Sequence, residues 1–220
     1  DLGTSAVIFA TVFGMLFVAG VQLRQFLLVI GLGFLGFLAM INFVPWRWER
    51  IISYMDPWSN PFDGGYQLTV SLMAISRGDW FGVGLGEGLM KLGYLPDSHT
   101  DFIFSVIVEE MGLFTAIILI ATLFFLSFRS FYIGKEALQK NLYFGFFICY
   151  GVAILIGLHT FINVGVATGL LPTKGLTLPF LSYGGTNLLI MCCLCALVLR
   201  VDQETKAALP PVSFRRRVSF

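Results

Sequence analysis

Long apolar stretches without charge dominate this chain and limit what it can fold into. A membrane-spanning helix needs roughly 20 consecutive, mostly apolar residues. Hydrophobic residues make up 57% of the 220 positions and charged residues 12%, whereas a soluble domain usually carries about 25% charged residues. The sequence therefore predicts an all-α integral membrane protein, a polytopic helical bundle. The five predicted spans are residues 4–20, 26–44, 102–128, 142–167 and 187–199, the last being short unless residues 184–186 extend it.

The succession of apolar spans predicts one transmembrane domain over residues 1–220, and residues 45–101 form a large loop within it. The chain opens at Asp1, without an initiator methionine or a signal peptide, so we expect it to be the later part of a longer polypeptide. The net charge of +1 gives no indication of a nucleic-acid partner. The four cysteines lie in apolar runs and are expected to be packing residues, not disulfide or zinc ligands: Cys149, Cys192, Cys193 and Cys195.

The distribution of lysine and arginine predicts the orientation. Five spans place nine of these residues on one side and five, spread over longer loops, on the other. The positive-inside rule puts the first set in the cytoplasm together with the C-terminus, so residues 45–101 and 170–185 face outward. The inner set is Arg24, Arg129, Lys135, Lys140, Arg200, Lys206 and Arg215–Arg217, and the outer set is Arg47, Arg50, Arg77, Lys91 and Lys174.

The large outer loop carries features of ordered structure. All four tryptophans of the chain lie in it, and tryptophan favours the membrane–water interface. Leu68, Leu72 and Ile75 have helical spacing, which suits a helix lying on the bilayer surface. Glycine then recurs at every second position from Gly82 to Gly88. This is a weak signal for a backbone nest that binds phosphate, and the alternative is a set of flexible turns.

The second outer segment, residues 170–185, contains three glycines and two prolines. Irregular backbone at membrane depth must be shielded by protein or line a cavity. The segment is therefore predicted to be re-entrant or interfacial.

Polar side chains at the start of the third span are candidates for function. Pro96 stops a helix from arriving there, and Asp97, His99 and Asp101 crowd the junction. Ionisable groups at a membrane surface are a functional hypothesis by default. A general base working near neutral pH needs a raised pKa, which burial favours and a helix N-terminus opposes. The alternative for Asp101 is a helix-start residue that complements the helix dipole.

Two pairs of polar residues lie deeper in the predicted spans. Glu109 and Glu110 are two turns into the third span, and His159 and Asn163 form one stripe on the fourth. Asp101 and Glu109 are eight residues apart, which puts them within about 80° of each other on one helix side. The alternative for all four is a structural role, through hydrogen bonds that hold helices together.

Two long stretches resemble the SEDS family (shape, elongation, division and sporulation proteins). The first comprises residues 63–68, 94–104 and 109–112, and the second residues 163–165 and 171–185. The sequence Thr-Lys-Gly-Leu-Thr-Leu-Pro at residues 173–179 is more similar to the division branch of the family than to the elongation branch. The resemblance implies that this chain supplies helices six to ten of the family's ten.

The resemblance implies a peptidoglycan glycosyltransferase that polymerises lipid II at the outer face of the bacterial inner membrane, at the division site. Asp101 matches the family's catalytic aspartate and is expected to act as general base, with undecaprenyl diphosphate leaving and inversion at the sugar. His99 and Ser182 lie in the same motifs and are expected to contact substrate. A developing diphosphate needs fixed cations, for which we expect Lys174 first, then Lys91 and Arg77. A divalent cation, Mg²⁺ or Mn²⁺, is a candidate to share that task, and no organic cofactor is expected.

The partners implied by the resemblance are the nascent glycan strand, membrane lipids, a class B penicillin-binding protein (FtsI-like) and the division complex with FtsQ, FtsL and FtsB. One alternative is a transporter that flips lipid II, in which Glu109, Glu110 and His159 would carry protons or shape a groove. Another is a non-catalytic scaffold of the division machinery. A transferase should depend on the outer Asp101, a flippase on the midspan charges and a scaffold on neither.

Overall fold

The computed structural model describes residues 2–22, 64–173 and 175–208, together with scattered positions between 24 and 61. Five helices have bounds within these residues, and no strand occurs in them, which confirms the all-α prediction. Most of the predicted span 26–44 lies outside the described residues. Two of the tryptophans, Trp46 and Trp48, lie wholly outside them. The helices are α1 (Leu2–Val18), α2 (Tyr66–Gly78), α3 (Ile103–Gln139), α4 (Tyr143–Ala167) and α5 (Gly185–Ala207).

Among the described residues, α3, α4 and α5 are long and apolar enough to cross a membrane. The predicted end of the third span is residue 128, and α3 continues beyond it to Gln139. The part of α3 after Gly112, residues 113–139, has a length of about 40 Å at about 1.5 Å per residue, more than a hydrocarbon core of about 30 Å. Hydropathy reports where a helix leaves the membrane, not where it stops. The chain turns only at Asn141, whose φ is 61°.

α4 is the central helix and packs against α1, α3 and α5. Close approach depends on small residues. A side chain at Gly151 would lie 3.0 Å from the Met15 sulfur of α1, and one at Gly134 would lie 3.1 Å from Cys149. Cys149 is buried in the shared core, as expected for a packing cysteine.

The far ends of the spanning helices carry the basic residues. Lys140, just after α3, donates its Nζ to the carbonyls of Thr205 and Ala208 (the latter at 3.0 Å). These carbonyls belong to the C-terminal end of α5, where a cation complements the helix dipole. Arg200 and Glu204 form an ion pair at 2.9 Å on the same end of α5. The basic end therefore lies opposite the Asp101 end, in agreement with the two-sided charge pattern.

The predicted amphipathic helix in the outer loop is α2. Its buried face, Leu68, Ser71, Ala74 and Gly78, packs against α3 and α4. The Ser71 hydroxyl pairs with the Ser105 hydroxyl at 2.6 Å and donates to the Ala167 carbonyl at 2.8 Å. α2 is thus part of the bundle, and its position on a bilayer surface stays a prediction.

α3 is broken at Gly112, whose φ of 80° and ψ of 169° interrupt the helix. Outer-loop residues 79–84 bind the peptide groups that the break exposes. Gly112 passes so close to the loop that a Cβ there would lie 2.4 Å from the Trp80 carbonyl oxygen. The hydrogen bonds run from the amides of Leu113 and Phe114 to the carbonyls of Asp79 and Trp80, and from the amides of Val83 and Gly84 to the carbonyls of Glu109 and Glu110.

Candidate active site

A tight turn places Asp101 immediately before α3. The Asp97 residue has φ 53°, and its carbonyl accepts the amides of Thr100, Asp101 and Phe102. Asp101 therefore precedes the first helical residue, Ile103. The helical spacing that would put Asp101 and Glu109 on one side does not apply, because the chain between them is not helical throughout.

Three successive carbonyls of this turn, those of residues 99–101, are held by donors from later in the chain. Each donor comes from a different residue, and two of the three are buried. The turn is therefore fixed to α4 and to the second outer segment. The Tyr183 amide donates to the His99 carbonyl at 2.8 Å, the Ser182 hydroxyl to the Thr100 carbonyl at 2.6 Å and the Asn163 amide group to the Asp101 carbonyl at 2.8 Å.

The polar stripe predicted on α4 faces the second outer segment. Asn163, only 1% exposed, also donates its Nδ2 to the Leu176 carbonyl at 2.5 Å. His159, one turn earlier, places Nδ1 3.2 Å from the Thr177 carbonyl. Leu176 is itself buried. The two polar residues thus anchor this irregular segment to α4, and its re-entry into the membrane stays a prediction.

Ser182 is predicted to contact substrate, and the structure shows what its hydroxyl does. The side chain is buried. Its Oγ donates to Thr100 and accepts the Leu178 amide at 2.6 Å. This arrangement makes Ser182 a link between the two outer segments, and a direct substrate contact remains a prediction.

The Asp101 carboxylate lies against Gly175. A Cβ at Gly175 would be only 2.8 Å from Asp101 Oδ2, so glycine leaves the room that the carboxylate occupies. Burial, and secondly the negative charge of Asp97, raise the pKa of the Asp101 carboxyl above its usual value. Within the described part of the chain, no lysine or arginine forms an ion pair with Asp101. A carboxylate in this setting holds a proton more readily than an exposed one.

Glu109 is held by the outer loop. The side chain is 0% exposed and accepts the amides of Leu89 at 3.0 Å and Met90 at 3.3 Å. Arg77, at the end of α2, reaches Glu109 Oε1 at 3.4 Å. Arg77, a predicted ligand of the diphosphate, is thus paired with a carboxylate of the protein itself.

Glu110 is held in the same way. Its Oε2 accepts the Gly86 amide at 3.1 Å, and Lys91 lies 2.5 Å from its Oε1. Gly88 passes so near that a Cβ there would lie 2.8 Å from Glu110 Oε1. Within the glycine-rich loop, the Gly86 amide therefore binds a carboxylate of the protein, that of Glu110. A phosphate-binding nest at this loop stays a prediction.

The predicted site residues thus fall into two groups. His99, Asp101, Asn163 and Ser182 meet at the start of α3, with His159 nearby. Arg77, Lys91, Glu109 and Glu110 form a second cluster between α3 and the outer loop. Lys174 lies outside the described residues.

Sequence analysis missed Gly175 and Tyr183 as parts of the site. Both lie in the second motif, and only the fold brings them beside the Asp101 turn.

Within the described residues, no group of three or more His, Cys, Asp or Glu side chains is placed to hold a metal ion. Asp97 and Asp101 interact electrostatically across the turn. Mg²⁺ is usually bound by one or two carboxylates plus substrate phosphates. The donor set therefore fits a cation that arrives with a diphosphate, not a site that the protein completes alone.

Comparison with known proteins identifies the family. A profile described as cell cycle protein, covering FtsW, RodA and SpoVE, matches residues 1–207. The chain belongs to the FtsW/RodA/SpoVE family. This confirms the resemblance to SEDS proteins, and with the three apolar helices it makes the chain a multi-pass membrane protein.

Members of the FtsW/RodA/SpoVE family from several bacteria match most of the chain. A protein of Saccharophagus degradans named probable peptidoglycan glycosyltransferase FtsW is 50% identical over 204 residues, which cover 93% of this chain and 53% of that protein. A protein of the same name from Allochromatium vinosum is 45% identical over 216 residues, covering 98% and 54%. The chain thus spans about half the length of the curated relatives it matches.

A solved structure agrees with this fold. It belongs to work on the structural coordination of polymerization and crosslinking by a peptidoglycan synthase complex. Its matching chain superposes with a TM-score of 0.70 at 30% identity, over 93% of this chain and 56% of that one.

Proposed function

We propose that this chain is the later half of a peptidoglycan glycosyltransferase that polymerises lipid II during cell division. The names of the FtsW relatives support the reaction class. The observation that carries the assignment is the Asp101 turn: a partly buried carboxylate with a raised pKa, on a backbone held by three later residues. A fixed base with a raised pKa is what proton abstraction near neutral pH requires.

In the proposed reaction, the 4-hydroxyl of the lipid II GlcNAc attacks the anomeric carbon of the terminal MurNAc of the growing strand. Asp101 accepts the hydroxyl proton as the new C–O bond forms. The bond from the anomeric carbon to undecaprenyl diphosphate breaks, the diphosphate takes the electron pair and the configuration inverts. One carboxylate is enough, because a diphosphate is a good leaving group and needs no general acid, unlike the alcohol released by glycoside hydrolases.

The cation that stabilises the leaving diphosphate is proposed to be Lys174. Arg77 and Lys91 are already paired with Glu109 and Glu110, which weakens their case as free diphosphate ligands. Lys174 is covalently next to Gly175, the residue that lies against the Asp101 carboxylate. Lys174→Ala should slow turnover more than Lys174→Arg, and equal rates for the two variants would remove this role.

A divalent cation, if required, would be held by diphosphate oxygens together with the Asp97 carboxylate, which leaves Asp101 free to accept the proton. When bound, it would neutralise charge that develops on the leaving group. Omission and re-addition of Mg²⁺ or Mn²⁺ in the polymerisation assay tests the requirement.

The setting of the glutamates supports a transferase over a lipid II flippase. Glu109 and Glu110 are fixed by backbone amides and by cations, whereas a proton carrier must exchange partners. Orientation with Asp101 outward in the bacterial inner membrane and the C-terminus in the cytoplasm follows from the positive-inside rule. Because the matching solved chain comes from a peptidoglycan synthase complex, we propose a class B penicillin-binding protein as partner, and the FtsQ, FtsL and FtsB complex as its wider context.

The test is polymerisation of labelled lipid II by the full-length parent with its penicillin-binding partner. A β-lactam blocks the partner's transpeptidase. Wild type should make long strands, and Asp101→Ala and Asp101→Asn should make none while keeping fold and partner binding. Strands made by Asp101→Ala would refute the base. No strands from a folded wild-type complex would favour the flippase, to be tested by translocation in vesicles. Normal growth of cells that carry Asp101→Ala as their sole copy would favour the non-catalytic scaffold.

A further inference from the structure

An open groove lies beside the Asp101 turn. It has a volume of about 350 Å³ and is lined by His99, Ile103, Leu181 and Tyr183. His99 and Ile103 are each two residues from Asp101. The groove therefore follows the seam between the outer loop and the second outer segment, and two of its wall residues flank Asp101 in the sequence.

The two walls of the groove are fastened to each other. The Tyr183 amide donates to the His99 carbonyl at 2.8 Å, so the backbone of one wall fixes the other. The buried Ser182 makes the neighbouring link to the Thr100 carbonyl. The groove is therefore preformed, which lowers the cost of ordering it around a ligand.

Tyr183 is an exposed wall of this groove, with 81% of its surface accessible. Its backbone is fixed, and a tyrosine side chain has only two rotatable χ angles, so it offers a large contact area at little entropic cost. Small-molecule sites combine apolar and aromatic walls with a few polar groups that fix orientation. Ile103 and Leu181 supply the apolar floor, and the exposed His99 imidazole supplies the polar group.

We propose that this groove is the subsite for the acceptor sugar, with Tyr183 stacked on the apolar face of the pyranose ring. A pyranose has one C–H face for the aromatic ring and a rim of hydroxyls for His99. The acceptor sugar is the one whose hydroxyl must come within hydrogen-bond distance of Asp101, and the walls of the groove are bonded to the turn that carries Asp101. The assignment rests on the proposed glycosyltransferase function and adds to it a residue that selects substrate.

The experiment measures KM and kcat for lipid II with the full-length parent and its partner. Tyr183→Leu should raise KM about five- to tenfold and leave kcat within about twofold, because it removes binding shared by ground and transition states. Tyr183→Phe keeps the ring and should stay within about twofold of wild type. Tyr143→Leu is the matched control, since Tyr143 is an exposed tyrosine at the opposite end of the bundle, and should leave both constants unchanged.

Three results would overturn the subsite: a wild-type KM for Tyr183→Leu, the same rise in KM for Tyr183→Phe, or the same rise in KM for Tyr143→Leu. The last result would indicate that Tyr183 is a general interfacial anchor. Equilibrium binding of labelled lipid II to Asp101→Ala protein separates this proposal from the reaction itself. Adding Tyr183→Leu in that background should weaken binding by the same factor, and unchanged binding would refute the groove. If Asp101→Ala polymerises, the base assignment fails while the KM comparison still tests Tyr183.

Discussion

Replacing Glu109 with glutamine changes one buried charge and almost no volume. The carboxylate accepts two backbone amides, from Leu89 and Met90, and the Arg77 guanidinium. A glutamine oxygen can keep one amide, while its NH₂ group faces the other donor. The loss is one hydrogen bond to a charged acceptor, about 1.5–3 kcal/mol, plus an ion pair with an Arg77 side chain that is 36% exposed and is worth at most about 1 kcal/mol. Together they predict about 2–4 kcal/mol of lost stability.

Glu110→Gln is the matched control. Glu110 accepts the Gly86 amide, which a glutamine oxygen can keep, and its side chain is 13% exposed, so water can replace a lost partner. Its pair with the partly exposed Lys91 contributes about 1 kcal/mol or less. Glu109→Gln should therefore be the more damaging of two chemically identical changes at adjacent positions.

The assay is thermal unfolding of the full-length parent in detergent, with hydrogen exchange of loop residues 86–92. One kcal/mol corresponds to about 2–4 °C in a protein of 150–250 residues and to about half of that in a parent of twice this length. We therefore expect Glu109→Gln to lower the midpoint by about 2–8 °C and to speed exchange in the loop. The folded fraction should still polymerise lipid II. Unchanged unfolding and exchange together with lost polymerisation would refute this reasoning and assign Glu109 to the chemistry.

Three further predictions concern the same region. Asp97→Asn removes the negative charge that helps to raise the pKa of Asp101, so Asp101 should lose its proton at lower pH, and the acid limb of kcat/KM should move to lower pH; an unmoved limb would exclude Asp101 as the titrating group. Asn163→Ala removes both of its donors and should reduce kcat about 10²-fold through misplacement of the base, with lipid II binding retained; a wild-type kcat would refute the positioning role. In Gly112→Ala the new methyl group would lie 2.4 Å from the Trp80 carbonyl oxygen, so the free energy of unfolding should fall by about 2 kcal/mol or more. Gly93 also has a positive φ but lies in open space, so Gly93→Ala should cost only about 1 kcal/mol of backbone strain. Equal unfolding midpoints for the two variants would contradict the packing at the break.

Sequence patterns predicted those parts of the fold that depend on local composition. The apolar runs located α4 within one residue at its start. They left open whether residues 184–186 extend the fifth span, and α5 begins at Gly185. The break in α3 could not be predicted, because a lone glycine in an apolar run is common in membrane helices. Its positive φ is stabilised by residues 79–84, about 30 positions earlier, and no local pattern reports such a contact.

The candidate site divides in the same way. Asp101 could be singled out because a carboxylate at a membrane surface is unusual. The pairing of Arg77 and Lys91 with Glu109 and Glu110 could not be predicted from the sequence. A cation in an outer loop can bind a diphosphate or a protein carboxylate equally well. Tyr183 gave no signal at all, since an interfacial tyrosine is ordinary and only the fold places it next to His99.

The contacts that tie the Asp101 turn to α4 and to the second outer segment come from residues made after it. Asn163, Gly175, Ser182 and Tyr183 follow Asp101 by 62 or more positions. During synthesis, α3 is therefore made before the residues that support the Asp101 turn. The turn acquires these contacts only when α4 and the chain up to α5 have been made. A chain that stops before residue 183 lacks at least one of them.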